Sequence, residues 1–263
     1  MRLLDIHNPF NAPVYHEETV TSTMEVSRLL AKDNAGHGTV ITADFQEAGR
    51  GRIRSRKWEM EKGQALAFTV LLRFTCIPAA LSLKTGLAVA LAIEEFAPTL
   101  AGKALIKWPN DILLPYAHSG KKSPSKAAGI LAEAQDGSVH IGIGVNVSQK
   151  QMPDFLREKA TSLSLATGQE YNEADRFILL EKILSRLRDE IESSDWKERV
   201  EARLYKKGAQ VCFAKGAADS GQLVTGTLTG IGPEGELLIT PPGKAIPLAF
   251  TAGEIYQMSN EQS

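Results

Sequence analysis

Apolar positions recur along this chain with two different periods, and the place where the period changes divides it. Residues 22–33 (STMEVSRLLAKD) bring Met24, Val26, Leu29 and Leu30 near one helical face, with Ser22 or Thr23 as cap and the glycine-rich DNAGHG as stop. The β-branched run TVITADF (39–45) predicts a strand feeding directly into QEAGRGR, and LAFTVLLRF (66–74) reads as a buried strand. Pro78 opens a long apolar helix to about Phe96, and ALIKW (104–108) is a short strand ended by Pro109. PYAHSGKKSPS (115–125), rich in Gly, Pro, Ser and Lys, is expected to be a mobile surface loop. Beyond it, AAGILAEAQ and SVHIGIGVNV form a hairpin about Asp136-Gly137. Residues 173–192 make an amphipathic helix through Phe177, Leu179, Leu180, Ile183, Leu184 and Leu187, and 195–206 a second helix.

From Gln210 onward the helical period disappears. VCFAKG, QLVTGTLTGIG, GELLIT and AIPLAF are short strands divided by Gly and Pro, the pattern of a small antiparallel barrel or sandwich of roughly fifty residues. The layout is α+β over residues 1–207 and all-β over 208–263, without repeats or low-complexity tracts.

Composition narrows this picture. With 263 residues, 43% hydrophobic and 23% charged, the chain can bury a sizeable core and is not a disordered protein. A formal net charge of −1 argues against bulk electrostatic binding to nucleic acid. Ser82, Lys84, Glu94 and Glu95 interrupt the apolar stretch Ala79 to Phe96, which is therefore a core helix and not a membrane span. MRLLDIHNPF lacks the apolar core of a signal peptide. Cys76 and Cys212 lie far apart in no metal-ligand spacing and read as buried thiols in a reducing compartment, so a cytoplasmic protein is expected.

Four segments carry candidate chemistry. QEAGRGRIRSRKW (46–58) holds Arg50, Arg52, Arg54, Arg56 and Lys57 with Gly49 and Gly51 directly after a strand. Glycines there bring backbone N–H groups close to a ligand, and guanidinium forks suit phosphate or carboxylate, although a solvated basic loop has the same composition. In KWPNDIL (107–113), Asn110 and Asp111 follow a rigid Trp108-Pro109 turn and suit a phosphate-bound Mg²⁺ or a ribose, or simply make the turn. Lys126, entering the apolar strand AAGIL, is an edge gatekeeper or a site cation. Asn146, among the apolar residues of GIGVNV, braces a loop or touches a ligand.

The order and spacing of these segments add what none provides alone. The succession TSTM, QEAGRGR…RKW, KWPNDIL, KAAGIL and GIGVNV resembles the biotin–protein ligase family, of the superfamily that includes lipoate ligases and octanoyl transferases. The resemblance covers about residues 15–150 and extends to the end, where the small β domain looks like the SH3-like C-terminal domain of bacterial biotin ligases. It implies a class II synthetase-like catalytic domain, with a mixed sheet flanked by helices, over 1–207. It implies an enzyme using ATP and Mg²⁺ to form biotinyl-5'-AMP and to pass biotin to a lysine of a carboxylase's carrier domain. Residue by residue, it implies that Ser22 and Thr23 contact the biotin ureido ring, with Met24 next to them. Gln46, Gly49, Arg50, Gly51, Arg52 and Trp58 fall in the ligand-binding loop, with Arg50 catalytic. Lys107, Asn110 and Asp111 lie beside the nucleotide phosphates and metal, with Asp111 the metal ligand. Lys126 is the catalytic lysine between carboxylate and α-phosphate, Gly129 lies in the same motif, and Asn146 is near the adenylate pocket. A homodimer follows only by analogy with bacterial relatives, and neither a nucleic-acid nor a membrane partner is expected.

The chain also departs from the family. Met24 stands where the family usually has Asn, which removes a hydrogen-bonding group from the acyl-acid pocket. GRGRIRSRKW has one residue more than usual before Arg56-Lys57-Trp58, with Arg54 or Ser55 where glycine is common, and GQALAFTVLL only loosely matches the strand that lines the ligand tail. A lipoate or octanoate ligase or transferase, and a non-catalytic ligand-binding homologue, are therefore the alternatives. The first motif begins near Thr21, ahead of which no helix-turn-helix domain is read, so no repressor function is expected.

Overall fold

The computed structural model describes residues 1–52, 57–118, 121–216 and 222–256. The basic positions Arg54 and Arg56, and Ser55, lie outside the described residues.

Eight strands form one mixed sheet. They are β1 (Arg2–Leu3), β2 (Val14–Val20), β3 (Thr39–Gln46), β4 (Ala65–Leu72), β5 (Leu105–Lys107), β6 (Asp111–His118), β7 (Lys121–Gln135) and β8 (Ser138–Asn146), in the order β1-β2-β3-β4-β8-β7-β6-β5. Only β2 and β3 run parallel, joined across α1 (Thr23–Lys32), and every other pair is antiparallel. The hairpin β7–β8 turns at Asp136 and Gly137, both at positive φ (49° and 72°), as a tight two-residue turn of the expected hand requires.

Side chains alternate across β7 and β8, and this decides what each face can hold. Ile130 on β7 lies near the position of a Cβ at Gly86, on the buried helix α2 (Leu81–Phe96). The long helix α4 (Glu173–Glu192) packs on α2 through Leu179, Leu180, Ile183, Leu184 and Leu187, all fully buried. An Asn172 capping box starts it. The opposite face carries Gly129, Gly142 and Gly144, and there α1 crosses β3, β4 and β8.

A short helix α3 (Leu163–Thr167) precedes α4, and α5 (Trp196–Ala202) follows it. Leu204 then bridges to Ile106 on β5, whereas Gly208 already bonds to Leu228 of a second sheet. That sheet is wholly antiparallel: β9 (Gln210–Lys215), β10 (Gln222–Ile231), β11 (Leu237–Thr240), β12 (Leu248–Phe250) and β13 (Gly253–Tyr256), in the order β12-β11-β10-β9-β13. Trp108 joins the two sheets, with its indole N–H donating to Gly235 O at 2.9 Å and its ring 6.0 Å from that of Phe213.

Several sequence expectations are corrected here. Residues 115–118 and 121–125 are not a loop: they extend β6 and β7, which stay paired to His118 and Lys121, and residues 119 and 120 lie outside the described residues. β5 reaches only as far as Leu113, so Pro115 on β6 has no further neighbour there to receive an N–H, and proline is tolerated. Cys76 is exposed and Cys212 half-buried, both as free thiols. Cys76 lies in the turn after β4, and Cys212 faces outward between inward-facing Val211 and Phe213. Leu29 is 60% exposed, because α1 buries Thr23, Met24 and Ser27, and Leu29 sits about 140° around the helix from Met24. The α2 helix starts at Leu81, after a left-handed Ala80, and α5 ends at Ala202. β2, whose polar centre hides its alternation, had no sequence signal that was read, and neither had α3 or β13.

Candidate active site

On its α1 face the sheet is paved with glycine. Gly129 pairs with Gly144, and Leu131 with Gly142, which removes side chains from the middle of β7 and β8. A Cβ at Gly144 would come within 2.6 Å of the Trp58 indole, and one at Gly142 within 2.9 Å of Met24 Sδ. At Gly129 it would meet Lys126 Nζ at 3.1 Å. Trp58, Met24 and Lys126 thus lie directly on the backbone of the sheet and wall a cleft whose base it forms. Gly144→Ala is expected to cost about 1–3 kcal/mol by overpacking and to push Trp58 outward. Urea denaturation and a red shift in tryptophan emission check it.

One end of the cleft is polar and held by α1. Ser22 caps the helix, its Oγ accepting from Met24 N at 3.3 Å. The Thr23 N–H, another helix-start donor, bonds to Gln46 Oε1 at 2.9 Å, and the Thr23 hydroxyl reaches the same oxygen at 3.1 Å. The carbon skeleton of Met24, only 6% exposed, closes this end beside them.

The other walls are charged. The neck of the arginine segment closes as a small ladder, with Arg50 opposite Lys57 and Trp58 N donating to Gly49 O at 3.0 Å. Gly49 is required there, since a Cβ would lie 2.9 Å from the Trp58 carbonyl. Arg50 pairs with Glu25 of α1, and Arg52 Nη2 donates to Gly253 O of the second sheet at 2.9 Å. Arg28 and Glu133, an ion pair that sequence reasoning missed, complete this wall. Behind them His140, hydrogen-bonded to Ser27, is held below its ordinary pKa by burial and then by the nearby Arg28 charge.

Lys126 enters the cleft because β7 carries a bulge. Asp111 pairs with Gly129 and Ile112 with Ala128, but Leu113 pairs with Lys126, so Ala127 is the extra residue. Simple alternation from Gly129 would turn residue 126 to the other face of the sheet; the bulge returns it to the cleft. There Nζ lies 2.7 Å from Asp111 Oδ1 and 5.8 Å from the centre of the Trp58 ring. Asn110 clamps β7, donating from Nδ2 to Ile130 O at 2.9 Å and accepting from Ile130 N.

Of the residues singled out in the sequence, Ser22, Thr23, Met24, Gln46, Arg50, Gly51, Arg52, Trp58, Asn110, Lys126 and Gly129 line this one cleft. Asp111 touches it through Lys126, and Gly49 supports its arginine wall. Lys107 and Asn146 are not among its lining. Asn146 instead braces the following loop, donating to Thr161 O at 3.0 Å and accepting from Gln149. The signal that could have found the floor was the alternation Gly142-x-Gly144 on one strand face, which reads as backbone left open for a ligand.

Among the described residues no group of three or more His, Cys, Asp or Glu side chains converges as a metal cage. Beside Lys126 the donor is the carboxylate of Asp111, already engaged by that lysine, while Glu133 and Glu25 are paired with Arg28 and Arg50. Such a set fits a Mg²⁺ that arrives with nucleotide phosphates supplying most of its ligands. It does not fit a resident ion.

Residues 17–148 match the model of the biotin/lipoate A/B protein ligase family. The bifunctional ligase/repressor BirA of Bacillus subtilis is 40% identical over 169 residues, which are 61% of this chain and 49% of that protein. The chain therefore spans about half the length of such Bacillus relatives. The biotin–[acetyl-CoA-carboxylase] ligase of Mycobacterium tuberculosis is 31% identical over 249 residues, 88% of this chain and 84% of that one. Among solved structures, the biotin protein ligase from Aquifex aeolicus in complex with biotin and ATP superposes with a TM-score of 0.75 at 28% identity, covering 92% of this chain and 97% of its own.

Proposed function

The chain belongs to the biotin/lipoate A/B protein ligase family, and from that premise we propose that it is an ATP-dependent biotin–protein ligase. It forms biotinyl-5'-AMP and transfers biotin to a lysine on the biotin carrier domain of a carboxylase. One observation carries this reading: a single glycine-floored cleft has a hydrogen-bonding end at Thr23 and Gln46 and a cationic end at Lys126, Arg50 and Arg52. A relative's structure holding biotin and ATP together supports the same pairing of ligands.

In this reading Ser22, Thr23 and Gln46 bind the bicyclic head, with Met24 and Trp58 covering it over Gly142 and Gly144. A carboxylate oxygen of the acid attacks the α-phosphorus of ATP, and the bond to the pyrophosphate leaving group breaks. Two anions approach one another in that step, so the barrier is largely charge repulsion. Lys126 and Arg50 supply fixed positive charge at the point of approach, and Gly49 and Gly51 let the backbone at the neck of the arginine segment lie close to the phosphate. Mg²⁺, borne by the phosphates beside Asp111, Asn110 and Lys107, would neutralise the departing charge. The carrier lysine amine then attacks the acyl carbonyl, AMP leaves with the bonding electrons, and the amine loses its proton. We place the division between the ligase domain and the small β domain at 207/208, and the activity in the cytoplasm, where ATP is at hand and free Cys76 and Cys212 stay reduced.

Met24 gives the lipoate or octanoate alternative its one specific support, an apolar thioether at the head end. Acid-dependent pyrophosphate release with ATP and Mg²⁺, measured in parallel for biotin, lipoate and octanoate, separates the readings. Biotin is expected to be preferred by about 10⁴-fold or more, the discrimination a hydrogen-bonding pocket provides over an analogue without partners. Preference for octanoate or lipoate would replace biotin as the substrate, and turnover with none of the three acids would sink the ligase reading.

A further inference from the structure

We propose that Thr69, which does not line the cleft, is a positioning residue that sets the hydrogen-bond polarity of the head end; this rests on the biotin ligase reading above. Thr69 sits on β4 opposite Gly142 and is fully buried. Its Oγ1 lies 2.9 Å from Thr23 Oγ1.

The direction of every bond in this chain follows from one group that has no choice. The Thr23 backbone N–H can only donate, so the Gln46 atom 2.9 Å away is the amide oxygen. That oxygen can only accept, so the Thr23 hydroxyl, 3.1 Å from it, donates. With its single proton committed, Thr23 Oγ1 can only accept from Thr69. By donating into one lone pair of Thr23 Oγ1, Thr69 reinforces the donor role towards Gln46 that the backbone N–H has already set. Among the described residues at this end, the Nε2 protons of Gln46, the hydroxyl proton of Ser22 and the second lone pair of Thr23 Oγ1 are left for a ligand.

A donor beside an acceptor is complementary to a carbonyl beside an N–H. A cyclic urea meets both; a saturated chain or a dithiolane meets neither and leaves buried polar groups unpaired. Thr69 therefore contributes to choosing among the acids of this family without touching them. Without it, Gln46 alone holds the Thr23 hydroxyl, both lone pairs of Thr23 Oγ1 are open, and the polarity of the end is less firmly set.

The test compares Thr69→Val, which keeps the shape and removes the hydroxyl, with Thr69→Ser, which keeps the donor. Biotin affinity by calorimetric titration is expected to fall about tenfold in Thr69→Val and to recover to within about twofold in Thr69→Ser. Octanoate affinity should not respond, and in turnover KM rather than kcat should carry the change. A second arm needs no ligand: in urea denaturation Thr69→Val should destabilise the native protein but add little in a Thr23→Val background. Equal biotin affinity in native and Thr69→Val proteins, or additive costs in the cycle, would overturn the relay and leave the ligase reading intact. A native protein that binds octanoate but not biotin would overturn that reading and the role of Thr69 in acid choice, while the cycle still decides whether the Thr69–Thr23 bond exists.

Discussion

Replacing Lys126 with alanine is expected to slow biotin-dependent pyrophosphate release by about 10²–10³-fold, the usual cost of losing one preorganised charge at a developing anion. Biotin affinity should change little, because the head end is built from other residues. Lys126 is the one described cation that the bulge of β7 projects between the sheet floor and Asp111. Its removal does double damage. The acid and the α-phosphate lose their counter-charge, and Asp111 is left facing them as an unpaired carboxylate. The backbone of Lys126 is tied separately to Lys159 and Thr161, so the fold has no reason to suffer, and unchanged thermal unfolding is the control. Full activity in Lys126→Ala would remove this lysine from the mechanism without touching family membership.

The second large effect concerns stability. Asp44→Ala is expected to destabilise the protein by about 3–5 kcal/mol, because it strands a buried guanidinium. Asp44 Oδ1 accepts from Arg176 Nη1 at 3.0 Å, and Oδ2 lies 3.3 Å from His16 Nε2. The Arg176 side chain is only 5% exposed, and its other hydrogen bond among the described residues is to Ala65 O at 3.3 Å. The cost arises from the uncompensated charge rather than from the pair itself, so Asp44→Ala combined with Arg176→Met should recover most of it. Urea denaturation of both variants separates these contributions. The site would feel the loss as well. Asp44 lies two residues before Gln46 on β3, and its carbonyl accepts from Gly63 N at 3.0 Å, where the chain returns from the arginine loop. The ion pair ties this strand to α4, so Asp44→Ala should also weaken biotin binding, and a titration below the melting range checks that.

Much of the fold was legible because local chemistry agreed with tertiary packing. Asp136-Gly137 forced its hairpin, and the apolar stripe of α4 chose its buried face. Where the two conflicted, the sequence misled. Pro115, Ser123 and Pro124 look like a loop, yet they pair because β6 runs past the end of its short neighbour β5 and needs no second partner there. Cys76 and Cys212 look like core residues and are not, since one falls in a turn and the other on the outward side of β9. The arginine segment was recognisable by composition, but its partners were not: Glu25, and a carbonyl of the second sheet 201 residues away from Arg52, leave no local trace.

Residue types and their order were enough to carry the resemblance to the family: a strand running into glycines and arginines, an Asn-Asp after a rigid turn, and a lysine at the mouth of an apolar strand. Those are chemical needs, and chemistry is written in side-chain identity. The facing of each group was another matter. Alternation counted from Gly129 puts Lys126 on the wrong face, and only the extra residue Ala127, accommodated by pairing with β6, turns it into the cleft. Asn146, which the motif suggested for the pocket, was claimed by the Thr161 loop, and Thr69, which no motif suggested, was brought under Thr23. Register and bulges depend on which strands meet, and that is a property of the assembled sheet rather than of any segment within it.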